Sequence, residues 1–295
     1  MIDLHSHTLA SDGEWSPKQL VDAAVAAGLS AISITDHDTI ASYHEARRLA
    51  AGTGLRVIPG VEVSSEYNGQ SLHLLGYFVD PDDAEFRARL ESVQAAREAR
   101  TPKLLARLKS LGMELTLEDI ASEASGVVGR PHVAAAMVKR GYCETIPEAF
   151  DQYLADGKPA YVPKDRVIPR DAIRWIHDAG GIAVIAHPRS LKSRMRGLSY
   201  GSIIGSLALD GLDGVECYYS SHNDRTRDEL MRVAARMKLC ITGGSDFHGP
   251  TVRAGVTLGR GYGKLSIPDK LLDGMIKAWQ RRHGHGPEER PACLS

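Results

Sequence analysis

His5 and His7 stand one residue apart in MIDLHSHTLASDG, and Asp12 follows on the same stretch. Residues i and i+2 of a strand point to one side, so the pair can present two imidazoles to a single space. Similar groups recur down the chain. TDHD supplies Asp36, His37 and Asp38, GVEVSS supplies Glu62, and SLHLLG supplies His73. VIAHPR adds His187, and GGSDFHG adds Asp246 with His248. Each has an ordinary explanation alone: His73 or His187 as a hydrogen-bonded core histidine, Glu62 as an ion-pair partner, TDHD as turns capping a helix. Together they set ionisable groups at the ends of successive short apolar runs. Such groups are rarely buried without partners, and bound cations make their convergence tolerable. The donors are imidazole and carboxylate with no thiolate, a set suited to Mn²⁺, Fe²⁺ or Zn²⁺.

Those groups need strands to carry them. MIDLH, LSAISITDH and LRVIPGVEVSSEY read as strands. SPKQLVDAAVAAG reads as a helix with Ser16 as N-cap, Pro17 at its first position and Gly28 as its stop. A second helix is expected from about Thr39 to Ala51, and NGQ makes a hairpin-type turn into SLHLLGYFV. GGIAVIAHP, LDGVECYY and KLCITGGSDFH each follow an amphipathic helix. Strands alternating with helices imply an α/β fold of parallel units, whose C-terminal strand ends share one mouth if the sheet closes. From about Glu85 to Lys164 the pattern is helical throughout. The expected organisation is therefore a discontinuous barrel over residues 1–84 and 165–282, with a helical cap over 85–164. The Gly- and Pro-rich tail, 283–295, is expected to fray, leaving His283 and His285 solvated.

Bulk composition narrows the function. The 295 residues are 43% hydrophobic and 25% charged, the balance of an enzyme-sized globular chain. A net charge of −1 offers no global basic field for long duplex nucleic acid. Cys143, Cys217, Cys240 and Cys293 form no CxxC pair and read as reduced, buried thiols. Neither a secretory signal nor a bilayer-spanning apolar run is apparent, so the cytoplasm is the expected compartment and no membrane partner is expected.

The ordered motifs HSHTLASDG, ITDHDT, GVEVS with LHLLGY, AHP and GSDFH run from residue 3 to residue 248 and closely resemble those of the PHP (polymerase and histidinol phosphatase) family. The order of SDFH after AHP, and the helical block carrying GRPH, look like the branch containing RNase AM and nucleoside 3′,5′-bisphosphate phosphatases. The resemblance implies a distorted (β/α)7 TIM-like barrel with an α-helical insertion, and three divalent ions, with manganese favoured. It implies that His5, His7, Glu62 and Asp246 hold the first ion. Glu62 would bridge to a second, completed by His73 and His187, while Asp12, His37 and His248 would hold the third. Asp12 stands where some relatives have histidine. Asp12, Glu62 and Asp246 are the implied catalytic carboxylates. The implied reaction is phosphoester hydrolysis by a hydroxide shared between two metals, the third offsetting charge on the phosphoryl oxygens.

Substrate contacts are sought among basic groups near the mouth. Arg130 and His132 of VVGRPHVAAAM begin a helix, where free N–H groups favour a phosphate, although Arg130 could instead pair with Glu123. Lys164 in AYVPKDR is a second candidate. Arg194 and Arg196 in LKSRMRG read as a lid or a solvated loop, and His222 in YYSSHND as an acid for the leaving oxygen or a surface residue. The expected substrates are nucleoside 3′,5′-bisphosphates, losing the 3′-phosphate, and the 5′ ends of short RNA. Rival readings are a histidinol-phosphate phosphatase, an amidohydrolase cleaving C–N bonds, and a non-enzymatic metal-binding module. GRPH argues against the first by resemblance. The absence of lysine at the candidate strand ends argues against the second, and the complete ligand set against the third.

Overall fold

The computed structural model describes residues 1–121, 130–155, 157–162, 167–195, 197–286 and 288–294. The chain divides into two compact units, Met1–Glu91 with Arg166–Ser295, and Ser92–Asp165.

Seven strands build the first unit in sequential order: β1 (Ile2–Asp3), β2 (Ala31–Ile34), β3 (Arg56–Tyr67), β4 (Gln70–Tyr77), β5 (Ile182–Ile185), β6 (Gly214–Tyr219) and β7 (Cys240–Gly244). Helices α1 (Pro17–Ala26) and α2 (Tyr43–Ala50) follow β1 and β2. α3 (Ala84–Glu98) crosses the unit boundary, and α4 (Arg100–Ser110), α5 (Leu117–Ala121), α6 (Arg130–Lys139) and α7 (Ile146–Ala149) belong to the second unit. α8 (Pro169–Asp178), α9 (Pro188–Arg194), α10 (Tyr200–Leu209), α11 (Asp224–Arg236) and α12 (Leu271–His283) return to the first. Ser16 caps α1 in a capping box with Gln19, Pro17 opens the helix, and Gly28 follows it at φ 66°.

The sheet is mixed. β4 runs antiparallel to both β3 and β5, and every other pair is parallel. His73 therefore does not end a parallel strand, as a uniform β-α repeat would have it; it lies midway along a reversed one. The ring nearly closes between its first and last strands. Leu4 N donates to Gly243 O at 3.1 Å, Asp246 N to His5 O at 2.8 Å, and His7 N to Phe247 O at 2.8 Å. Glycine at 244 permits this closure, because a Cβ there would fall on the backbone and Cβ of His5.

Two apolar layers hold the strands. One packs Ile32, Val61, Val63, Leu74 and Ile185 against Leu20, Ile173, Ile204 and Leu230 of the surrounding helices. The other gathers Ile58, Leu75, Tyr77, Ile182 and Val184 with Leu272, Met275 and Ile276 of α12. Ile58 and Glu62 lie four residues apart on β3, as do Tyr77 and His73 on β4, so one face of each strand changes from apolar to polar along its length. Beyond α12, Cys293 and Leu294 pack on this second layer and His285 stacks on Trp279 with ring centroids 4.5 Å apart. The tail expected to fray thus carries packing contacts. The second unit has its own core of Leu104, Leu108, Ile120, Val133, Met137 and Leu154, and its described residues contain no strand. Among the described residues, no helix is long and apolar enough to cross a membrane.

Candidate metal centre

Nine side chains meet at the polar end of the barrel. His5 and His7 are fully buried on the continuation of β1, and Glu62, midway along β3, is 1% exposed. Glu62 is their hub. Its Oε2 lies 3.3 Å from His5 Nε2, 3.2 Å from His7 Nε2 and 3.3 Å from His37 Nδ1. Its Oε1 lies 2.9 Å from both His73 Nδ1 and His187 Nε2. Asp246 Oδ1 approaches the same first pair, 3.3 Å from His5 Nε2 and 3.2 Å from His7 Nε2. Asp12 sits on the other side of His7, its Oδ1 3.5 Å from His7 Nδ1 and 3.4 Å from His248 Nε2.

Three donor groups result, each with ligand atoms within 4.8 Å of one another: His5, His7, Glu62 and Asp246; His37, Glu62 and His73; and His7, Asp12, His37 and His248. The first repeats the set implied by family resemblance. The others differ in detail, because His37 reaches both and His7 shares in the third. His187 contributes through its contact with Glu62.

The chemistry of the cage fits divalent cations. Both ring nitrogens of His7, and Nδ1 of His37, are buried and make no hydrogen bond. An imidazole normally needs partners at both positions, and lone pairs facing a shared centre suit a cation. Burial would raise Glu62, but His37, His5 and His73 outweigh it and hold it well below the ordinary carboxylate range. Burial pulls His7 down, yet Asp246 and Glu62 push it up to about 10. Burial, with His7 and His73 alongside, draws His37 down to about 3 against the pull of Glu62. Cys240, whose thiol burial pushes up to about 12, lies in the apolar layer and not in the cage.

Residues not singled out in the sequence hold the cage in place. Glu216 is fully buried on β6, its Oε1 2.8 Å from His5 Nδ1 and its Oε2 accepting the His187 backbone N–H at 2.7 Å. Asp246 Oδ2 accepts from the Tyr219 hydroxyl at 2.9 Å and from Arg253, leaving Oδ1 to face the imidazoles. A lone acid inside the apolar run of GVECYY was the available signal for Glu216; nothing local marked Tyr219 or Arg253. Asp36 and Asp38, read as candidate ligands, are committed elsewhere. Asp36 accepts from Thr8 N, Thr8 Oγ1, Ser11 Oγ and Ser42 Oγ at 2.6–2.8 Å and so anchors the loop bearing Asp12. Asp38, at φ 55°, accepts from Ser64 N at 2.7 Å. That turn and the Ser42 bond delay α2 to Tyr43, beyond the expected Thr39.

The candidate substrate residues scatter more widely. Arg130 opens α6, donates to Leu154 O at 3.1 Å and lies over the Tyr161 ring, with His132 two positions on. Lys164 and Arg196, like Glu123, lie outside the described residues. Arg194, at the end of α9, donates to Ser71 O at 3.0 Å, and the Ser71 hydroxyl lies 3.2 Å from His73 Nε2. His222 binds Cys217 O through Nδ1 at 3.0 Å, keeps Nε2 buried without a hydrogen bond, and burial lowers its pKa. It lines a cavity of about 370 Å³ with Tyr218, Tyr219, Arg227, Tyr262 and Lys264.

A barrel whose mouth gathers imidazoles and carboxylates around one shared glutamate defines a metal-dependent hydrolase, and comparison with known proteins specifies its kind. Residues 3–253 match the PHP domain. The chain is 35% identical to a 5′-3′ exoribonuclease of Haemophilus influenzae over 95% of its own length and 98% of the relative's. It is 32% identical to a 3′,5′-nucleoside bisphosphate phosphatase of Chromobacterium violaceum, covering 84% and 87% of the two chains. A structure from Bifidobacterium adolescentis described as a metal-dependent phosphoesterase superposes with TM-score 0.72 at 31% identity, over 94% and 96% of the two chains. Another, from Chromobacterium violaceum, is described as an amidohydrolase with bound sulfate and superposes with TM-score 0.69 at 29% identity, over 99% and 98%. The chain belongs to the PHP family and is a metal-dependent phosphoesterase.

Proposed function

We propose that the protein hydrolyses nucleoside 3′,5′-bisphosphates, releasing the 3′-phosphate, and trims short 5′-phosphorylated RNA from its 5′ end. The observation that carries this reading is the cage around Glu62, in a chain that resembles both a bisphosphate phosphatase and exoribonucleases over most of its length. In this reading His5, His7, Glu62 and Asp246 would hold one divalent ion, manganese by preference, Glu62, His73 and His187 a second, and Asp12, His37 and His248 a third. When bound, such ions activate water and offset charge on the phosphoryl oxygens. The side chains supply the rest. Asp12 and His248 border the outer rim, and Glu62 couples the sets through its two oxygens. The Arg194 guanidinium, which donates to Ser71 O beside His73, is assigned to a substrate oxygen in this reading. For the phosphate that is not cleaved, the sequence assigns Arg130, His132 and Lys164. His222 holds a neutral imidazole near Tyr219, a group able to meet the leaving nucleoside.

Arg130→Ala tests the assignment. It should raise KM for adenosine 3′,5′-bisphosphate at least ~10-fold while leaving that for p-nitrophenyl phosphate within twofold, consistent with loss of one charge-assisted contact. Equal effects on both substrates would remove Arg130 from the recognition site. Turnover of histidinol phosphate or an amide in preference to the bisphosphate would favour a sibling activity instead.

A further inference from the structure

We propose that Glu216 is a positioning residue that sets which nitrogen of His5 faces the cage and, through the same carboxylate, fixes the backbone that aims His187. The inference rests on the metal reading of the site. Both Glu216 oxygens are occupied: Oε1 by His5 Nδ1 at 2.8 Å and Oε2 by the His187 N–H at 2.7 Å. In this proposal Nδ1 of His5, 2.8 Å from Oε1, carries the proton that Glu216 accepts. The lone pair that remains available to a cation is then on Nε2, which lies 3.3 Å from both Glu62 Oε2 and Asp246 Oδ1. At the other oxygen, His187 sits at φ 29°, a left-handed value costly for a residue with a side chain. The bond from its N–H to Glu216 helps hold that turn, and the turn points the ring at Glu62 Oε1, 2.9 Å away. One buried acid on β6 thus orders two imidazoles, arriving beyond β1 and beyond β5, that meet different oxygens of Glu62.

Glu216→Gln separates the two duties with almost no change in shape. A backbone N–H must donate, so the amide oxygen turns to His187, and the amide NH₂ then faces His5 Nδ1. His5 answers by accepting at Nδ1 and carrying its proton on Nε2, where a cation should bind. Long-range ¹H–¹⁵N NMR of the zinc-loaded wild type should show the His5 proton on Nδ1, and that of the metal-free variant should show it on Nε2. Calorimetry should give zinc and manganese affinities 10–100-fold weaker in the variant, with the circular dichroism spectrum unchanged. A wild-type spectrum with the proton on Nε2, or a folded variant that binds both metals as tightly as wild type, would overturn the proposal. If the variant fails to fold, the wild-type spectrum still decides. Wild type that takes up no cation would instead overturn the metal reading. In that event an exchange-protected Nδ1 proton on metal-free His5 supports the Glu216 bond, and an unprotected one refutes it.

Discussion

At the scale of single residues, the cage is a balance of buried charges that leaves clear signatures. His7 is ordinarily near 6.5 and here rises to about 10, because Asp246 and Glu62 outweigh burial. A raised histidine stabilises the metal-free fold fully below pH 6.5, and that contribution is lost as pH climbs through about 10. A cation must also displace the His7 proton. Calorimetry in buffers of different ionisation enthalpy should therefore show proton release on manganese binding at pH 7, and affinity that rises with pH. Binding without proton release would mean that His7 stays outside the coordination set. Asp36 offers a second test. It accepts four hydrogen bonds, three of them from the loop carrying Asp12. Asp36→Ala should cost roughly 3 kcal/mol or more in urea unfolding by leaving buried donors unmet. It should also lower kcat/KM ~100-fold through misplacement of Asp12.

At the scale of elements, the mouth depends on where strands end and how closely they approach. The nine polar side chains were legible because each falls within a short local motif, and period-two alternation sent them to one end of the sheet. The helical block between the strands was legible from its unbroken periodicity. Other features were not, because they depend on partners distant in sequence. Glu216 acquires its role only when β1 and β5 arrive beside β6, and Arg253 only when its loop returns to Asp246. Asp36 looked like a ligand because a carboxylate in TDHD has the right chemistry, yet the hydroxyls that claim it come from residues 8, 11 and 42. The reversed β4 followed from the NGQ turn, but the β-α rhythm elsewhere argued for uniform direction. Closure gives the element-scale prediction. Gly244→Ala places a methyl on the His5 backbone and should destabilise the fold by about 1–3 kcal/mol or more, with weakened metal uptake. Gly274→Ala, in α12 with nothing within 4 Å of an added Cβ, should stabilise it by about 0.5–1 kcal/mol. Thermal melts distinguish the pair.

At the scale of the whole molecule, charge and topology point to small phosphorylated substrates. The chain is nearly neutral at −1, so affinity for phosphate must come from local groups and not from a global field. The apolar layers around Leu74 and around α12 hold the strands that carry the polar end. Cations that bind the folded cage and not the unfolded chain raise its stability, so chelation should lower the melting temperature and manganese should restore it. The most direct test is anomalous diffraction at the manganese edge from manganese-loaded crystals. Anomalous peaks should lie among His5, His7, Glu62 and Asp246, and beside Asp12, His37 and His248. A fully loaded crystal with no peak in contact with Glu62 would contradict the metal-centred chemistry proposed for this protein.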